Sequence, residues 1–119
     1  MAMYMKNPWS GKSMKVALHT SRYVDGKRLY LGIDCYDSEG YWEPWSDLTV
    51  NLPEEPISGD NCGFVDTNNN PGIEQFIQDY GFGKPTGYIA YSGYCQYPEY
   101  RFDMERINTL TMATLRGEQ

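Results

Sequence analysis

The chain has 119 residues, of which 40% are hydrophobic and 15% aromatic, and its 16 acidic and 10 basic side chains give a formal net charge of −6. That length suffices for one domain with its own core and is too short for two. The acidic balance argues against nonspecific nucleic-acid binding, which needs a cationic surface to displace counterions, and against docking on anionic membranes.

Residues 1–13 read as an irregular lead-in, because Asn7-Pro8 and Ser10-Gly11 are turn signals, and a single α+β domain is expected over 14–119. Met1 to Lys15 holds no continuous apolar stretch, so no secretory signal is expected. Nowhere does the chain approach the ~18 apolar residues of a membrane helix. From Met14 the pattern turns to β: Val16, Leu18 and Thr20 alternate with Ala17, His19 and Ser21. Asp25-Gly26-Lys27 supplies a tight reversal. Next comes the clearest strand, with Leu29, Leu31, Ile33 and Cys35 on one face and Tyr30, Gly32, Asp34 and Tyr36 on the other. Ser38-Glu39-Gly40 reverses the chain again, and a third strand is placed at Asp47–Leu52, with Leu48, Val50 and Leu52 toward the core. Pro53 ends it. Reversals this short imply an antiparallel meander.

Residues 53–63 form a loop, and Phe64-Val65 a short strand or anchor. A helix is predicted over 71–80. Asn70 is its N-cap, Pro71 its first position and Gly81 its stop. Ile73, Phe76, Ile77 and Tyr80 lie on one face of it. The runs Tyr88–Tyr91 and Tyr97–Phe102 read as paired strands around Ser92-Gly93. In residues 104–116, Met104, Ile107, Leu110 and Leu115 have helical spacing, while Thr109, Thr111 and Thr114 weaken it. The resulting fold class is α+β: an antiparallel sheet of about four to five strands with one helix packed on one face.

Chemistry-bearing motifs are sparse. Asp66, Asn68 and Asn70 match the first positions of a calcium loop, but Pro71 stands where glycine is needed and Ile77 where a bidentate glutamate is needed. A rigid turn explains these residues better. Cys35, Cys62 and Cys95 lack the close spacing of a zinc module, and an odd number of cysteines cannot fully pair within the chain. Reduced thiols in a cytoplasmic protein are expected. His19 is the sole histidine. A Cys62- or Cys95-based site with His19 and Asp66 defines a cysteine-dependent enzyme as one alternative, although no phosphate cradle or nucleophile elbow accompanies it. No catalytic residue, metal or cofactor is assigned.

Two stretches stand out as partner-binding candidates. Between Arg28 and Lys84 the chain has no basic residue, and Asp34, Asp37, Glu39, Glu43 and Asp47 crowd one part of it. Carboxylates spaced along a sheet imitate phosphates and steer a basic partner. The second stretch is the tyrosine-rich segment with Tyr88, Tyr91, Tyr94, Tyr97 and Tyr100. It reads either as aromatic rungs across paired strands or as a protein-binding patch built on Tyr91, Tyr94 and Tyr97.

Leu48-Thr49-Val50-Asn51-Leu52, Phe64-Val65-Asp66-Thr67-Asn68-Asn69 with Pro71, and Ser92-Gly93-Tyr94-Cys95 with Tyr97-Pro98 resemble a family of short uncharacterised proteins. Those proteins are encoded on conjugative transposons and other mobile elements of gut bacteria. The resemblance extends from Arg28 to about Glu105 and transfers no functional residue. It implies a context in which accessory proteins oppose host defence or assist transfer. The expected function is a noncatalytic module that binds a protein with a basic surface, such as an anti-CRISPR or anti-restriction inhibitor of a nucleic-acid-binding defence complex. Direct nucleic-acid and membrane contacts are not expected. A structural component of conjugative transfer is the other alternative.

Overall fold

Alternation of side chains sets the first sheet. In the computed structural model, which describes residues 2–24 and 27–117, strands Ser13–Arg22 (β2) and Leu29–Tyr36 (β3) pair antiparallel. Their register sets Val16 opposite Cys35 and Leu18 opposite Ile33. Opposed residues project to the same side, so these pairs build one apolar face. Leu29, Leu31, Ile33 and Cys35 are all buried, as their spacing predicts. The Asp25-Gly26 reversal lies outside the described residues. Trp42–Asp47 (β4) continues the meander along the far side of β3.

The N-terminal segment corrects the expectation of an irregular lead-in. Met3–Lys6 (β1) pairs antiparallel with β2, with Met3 opposite Val16 and Met5 opposite Met14. Both methionines are buried in the core. Composition gives this strand little away, because its stability comes from distant partners. The Met3 N–H donates to Thr114 Oγ1 at 3.0 Å and the Tyr4 N–H to the Tyr80 hydroxyl at 2.7 Å.

The strand expected at 47–52 is divided. β4 ends at Asp47, Leu48 is buried, and Thr49–Val50 (β5) joins a second sheet. This change of sheet turns Thr49 inward and leaves Val50 and Leu52 half-buried. The Thr49 hydroxyl accepts from the Leu31 N–H at 3.1 Å and bonds the Tyr23 hydroxyl at 2.9 Å, which satisfies it in the interior. Cys62–Val65 (β6), Gly83–Ser92 (β7) and Cys95–Phe102 (β8) complete the second sheet. Its order is β5-β6-β8-β7, and that of the first sheet is β1-β2-β3-β4, with every pairing antiparallel. The α+β antiparallel class therefore holds, but as two four-stranded sheets instead of one.

Helix Ile73–Tyr80 (α1) buries Ile73, Phe76 and Ile77 along the predicted stripe and stops at Gly81. Asn70 is not its cap. Gly72, at φ 83°, occupies that position and supplies no side-chain bond. Asn70 instead turns inward at 2% exposure. The ambiguous C-terminal stretch forms a second helix, Met104–Leu115 (α2), capped by Asp103, whose carboxylate accepts from the Arg106 N–H at 3.0 Å. Its threonines weaken helix propensity but fasten it in place. Thr114 bonds the Leu110 carbonyl at 2.8 Å as well as β1, and Thr111 reaches the Leu18 carbonyl at 3.4 Å. The core draws Val16, Leu31 and Ile33 from the first sheet, Tyr100 and Phe102 from the second, and Phe76, Ile77, Ile107 and Leu110 from the helices. Among the described residues no helix is long and apolar enough to cross a membrane.

Candidate functional site

All five acidic candidates lie on the β3–β4 hairpin, but their surroundings differ. Asp37 builds the turn, since one of its oxygens accepts from the Glu39 N–H at 2.9 Å and the Tyr41 N–H at 2.8 Å. Glu39 is exposed at the tip, and Glu43 is exposed on β4 with the Cys35 thiol 3.9 Å away. Asp34 sits 3.4 Å from His19 Nδ1 across the β2–β3 pairing. Asp47 accepts from the Tyr30 hydroxyl at 2.6 Å. That bond requires Tyr30 to lie across Gly32, where a Cβ would come within 2.5 Å of the hydroxyl oxygen. Burial, then the bond to Asp47 and its charge, push the Tyr30 hydroxyl far above its ordinary value, so it stays a donor.

The hairpin is also rich in exposed aromatic rings, which the charge pattern alone did not reveal. The chain has three tryptophans: Trp42 and Trp45 lie on β4, and Trp9 reaches Trp45 from a neighbouring turn. Trp42 packs on Tyr36 with centroids 5.2 Å apart, and Trp45 meets Trp9 at 6.3 Å. Trp9 is 73% exposed and Tyr41 67%. The Tyr41-Trp42-Glu43-Pro44-Trp45 run was the available sequence signal. A cavity of about 370 Å³ opens beside the hairpin, lined by His19, Tyr30, Asp34, Trp45, Asp47 and Asp66 among others. β4 is the edge of its sheet. Pro44 lacks an N–H, and the register shifts between Ile33 and Asp34, so this edge is a poor template for another strand. A partner here meets side chains.

The tyrosine candidates sit on the other sheet. Tyr91 is exposed near the end of β7, Tyr94 is fully exposed in the hairpin turn, and Tyr97 is half-buried on β8. Tyr91 opposes Gln96 and Tyr97 opposes Ala90, so they do not form facing aromatic rungs. Tyr100 belongs to the core and donates to Glu74 at 2.7 Å.

His19 is exposed on β2, paired with Asp34 and edge-on to the Tyr30 ring. Cys35 and Cys62 are buried and Cys95 half-buried. Burial pushes the Cys35 and Cys62 thiols up, opposite to what an attacking thiolate needs. None of the three thiols is hydrogen-bonded to His19 among the described residues. Asp66 accepts from the Asn69 N–H at 3.1 Å and from its side-chain amide at 2.9 Å. Asn70 donates to the carbonyls of Asp47 and Asp66 and accepts from Ser46. This segment is the rigid turn that the residue types predict, and it braces β4 from behind.

A family model for a domain of unknown function matches residues 17–116. The chain belongs to the DUF4313 family. No curated protein and no solved structure matches it. The DUF4313 span runs from within β2 to just past α2, so it contains the whole β3–β4 hairpin, while β1 precedes it.

Proposed function

We propose that this DUF4313 protein is a noncatalytic binding module whose β3–β4 hairpin docks on a protein with a basic surface. The observation that carries this reading is the coincidence on one hairpin of exposed carboxylates with Trp42, Trp45 and, from a neighbouring turn, Trp9. Tryptophan and tyrosine dominate the energetic centres of interfaces, and arginine is their frequent counterpart. Guanidinium groups both stack on such rings and pair with carboxylates. A basic groove that ordinarily holds nucleic acid offers this chemistry. The mobile-element context implied by the sequence resemblance makes a host defence complex the preferred owner of that groove.

The test is comparative affinity purification from lysate of the native host, using the wild-type chain and a Glu39→Lys/Glu43→Lys variant. Both side chains are exposed, and neither makes a hydrogen bond of the turn. A nucleic-acid-binding protein retained by the wild type and lost by the variant is the expected result. Recovery of the same proteins by both would remove the hairpin from the interface.

A further inference from the structure

The open edge of the second sheet has features of a different kind of contact. β7 lies at the end of the order β5-β6-β8-β7 and has β8 as its only strand neighbour among the described residues. The β7–β8 turn is a two-residue hairpin, since Ser92 pairs with Cys95. Gly93 has φ 62° and Tyr94 a negative φ, the pattern of a type II′ turn. Ser92 and Cys95 therefore exchange hydrogen bonds, and the alternation of narrow and wide pairs makes Ala90–Tyr97 the next bonded pair. The backbone groups of Tyr91 and Ile89 point away from β8. Their partners across the ladder, Gln96 and Pro98, fit this, because Pro98 has no N–H to give.

Natural sheets protect such edges with lysine, proline, bulges or inward charges. β7 carries these devices only in its first half, with Lys84, Pro85 and a register shift between Pro85 and Ile89. From Ile89 to Ser92 there are none. Residues 85–98 contain no Asp, Glu, Lys, Arg or His, the longest such run in a chain of net charge −6. Ile89 and Tyr91 are 43% and 65% exposed at this edge. A second copy of an acidic protein is repelled over most of its surface, and this segment brings no carboxylate of its own; Glu55, a carboxylate that reaches it from elsewhere, accepts from the Tyr88 hydroxyl at 3.4 Å, outside the Ile89–Tyr91 pairing.

We propose that two copies of the chain associate through β7 about a twofold axis at Ala90. Ile89 of each copy exchanges both backbone hydrogen bonds with Tyr91 of the other. The second sheets of both copies join into one continuous antiparallel sheet. The contact is isologous and closed, as a twofold edge pairing requires. It leaves the β3–β4 hairpin, on the other sheet, outside the contact, so it is independent of the function proposed above.

Sedimentation velocity of the full chain, from micromolar to near-millimolar concentration, should show a reversible species of twice the 13.7 kDa chain mass. Amide exchange of Ile89 and Tyr91 should slow as that species forms. Two variants probe the edge. Tyr91→Pro removes an outward N–H that the β8 ladder does not use, and Ile89→Lys sets like charges against each other. Either, with its fold confirmed by circular dichroism, should weaken the dimer by at least about tenfold. Tyr94→Ser, in the turn, should leave it intact. A wild type that stays monomeric throughout, a dimer in which the Ile89 and Tyr91 amides stay unprotected, or one that both folded variants preserve would overturn the proposal. Protection of those amides only when another protein is added would assign the edge to a foreign strand and overturn it equally.

Discussion

Two buried polar side chains hold the scaffold together, and each has a measurable cost of removal. Asn70 spends its amide on two carbonyls and receives the Ser46 hydroxyl at 2.8 Å. Asn70→Ala removes a donor from the Asp47 and Asp66 carbonyls and the acceptor of the Ser46 hydroxyl, and should cost about 3 kcal/mol in chemical unfolding. Glu99 is fully buried on β8 yet accepts from the Ser58 N–H at 2.8 Å, the Ser58 hydroxyl at 2.6 Å and the Thr86 hydroxyl at 2.6 Å. Burial by itself raises this carboxyl, but the three bonds and the Arg101 charge outweigh burial, and its pKa is lowered. The unfolded chain then takes up the proton more readily than the folded one. Glu99 therefore contributes its full stability above the unfolded value, about 4.3, and loses it as pH falls through the lower folded value. Glu99→Gln should be less stable than the wild type at neutral pH, and the gap should close under acid. Parallel stability curves from neutral to acid pH would show that the carboxylate is not the source.

Elements divide by whether their stability is local or borrowed. The Phe76 ring packs edge-on against Tyr80 and Phe82, at 5.4 and 5.5 Å between centroids, so Phe76→Asp buries an unpaired charge and should prevent folding. A soluble, cooperatively melting variant would refute that packing. β1 is the opposite case, tied to α1 through the Tyr80 hydroxyl, which bonds both the N–H and the carbonyl of Tyr4. Tyr80→Phe should cost about 1 kcal/mol and speed amide exchange at Tyr4 more than in β3. The same division explains what was legible in the sequence. β3, α1 and the β7–β8 hairpin carry a strong period or turn signal, and the structure has all three, although α1 starts at Ile73 instead of Pro71 and β7 extends back to Gly83. β1, the sheet change at Leu48 and the Asn70 contact depend on residues far along the chain. For α2, two of the three threonines that argued against a helix, Thr111 and Thr114, proved to be its anchors to the first sheet. The acidic hairpin was legible as charge, but its tryptophans gain meaning only when Trp9 and Trp45 are brought together in space.

At the scale of the whole molecule, the field and the contact surface should act on different steps of binding. The Debye length falls from about 10 Å at roughly 0.1 M salt to about 3 Å at roughly 1 M. If the β3–β4 carboxylates steer a basic partner, association should slow steeply with salt while dissociation changes less, because dissociation depends on the desolvated centre of the contact. Glu39→Lys/Glu43→Lys reverses exposed charges and leaves the Asp37 turn intact, so stability should move by no more than about 0.5 kcal/mol. Its defect should fall on the association rate and shrink as salt rises. Trp9→Ala removes an exposed ring without altering charge. Its defect should fall on the dissociation rate and persist at high salt. Surface plasmon resonance with the partner recovered by affinity purification separates these outcomes. An unchanged association rate at low salt in the folded double variant would exclude steering by this hairpin. An unchanged dissociation rate in Trp9→Ala would place the centre of the contact away from the Trp9–Trp45 pair.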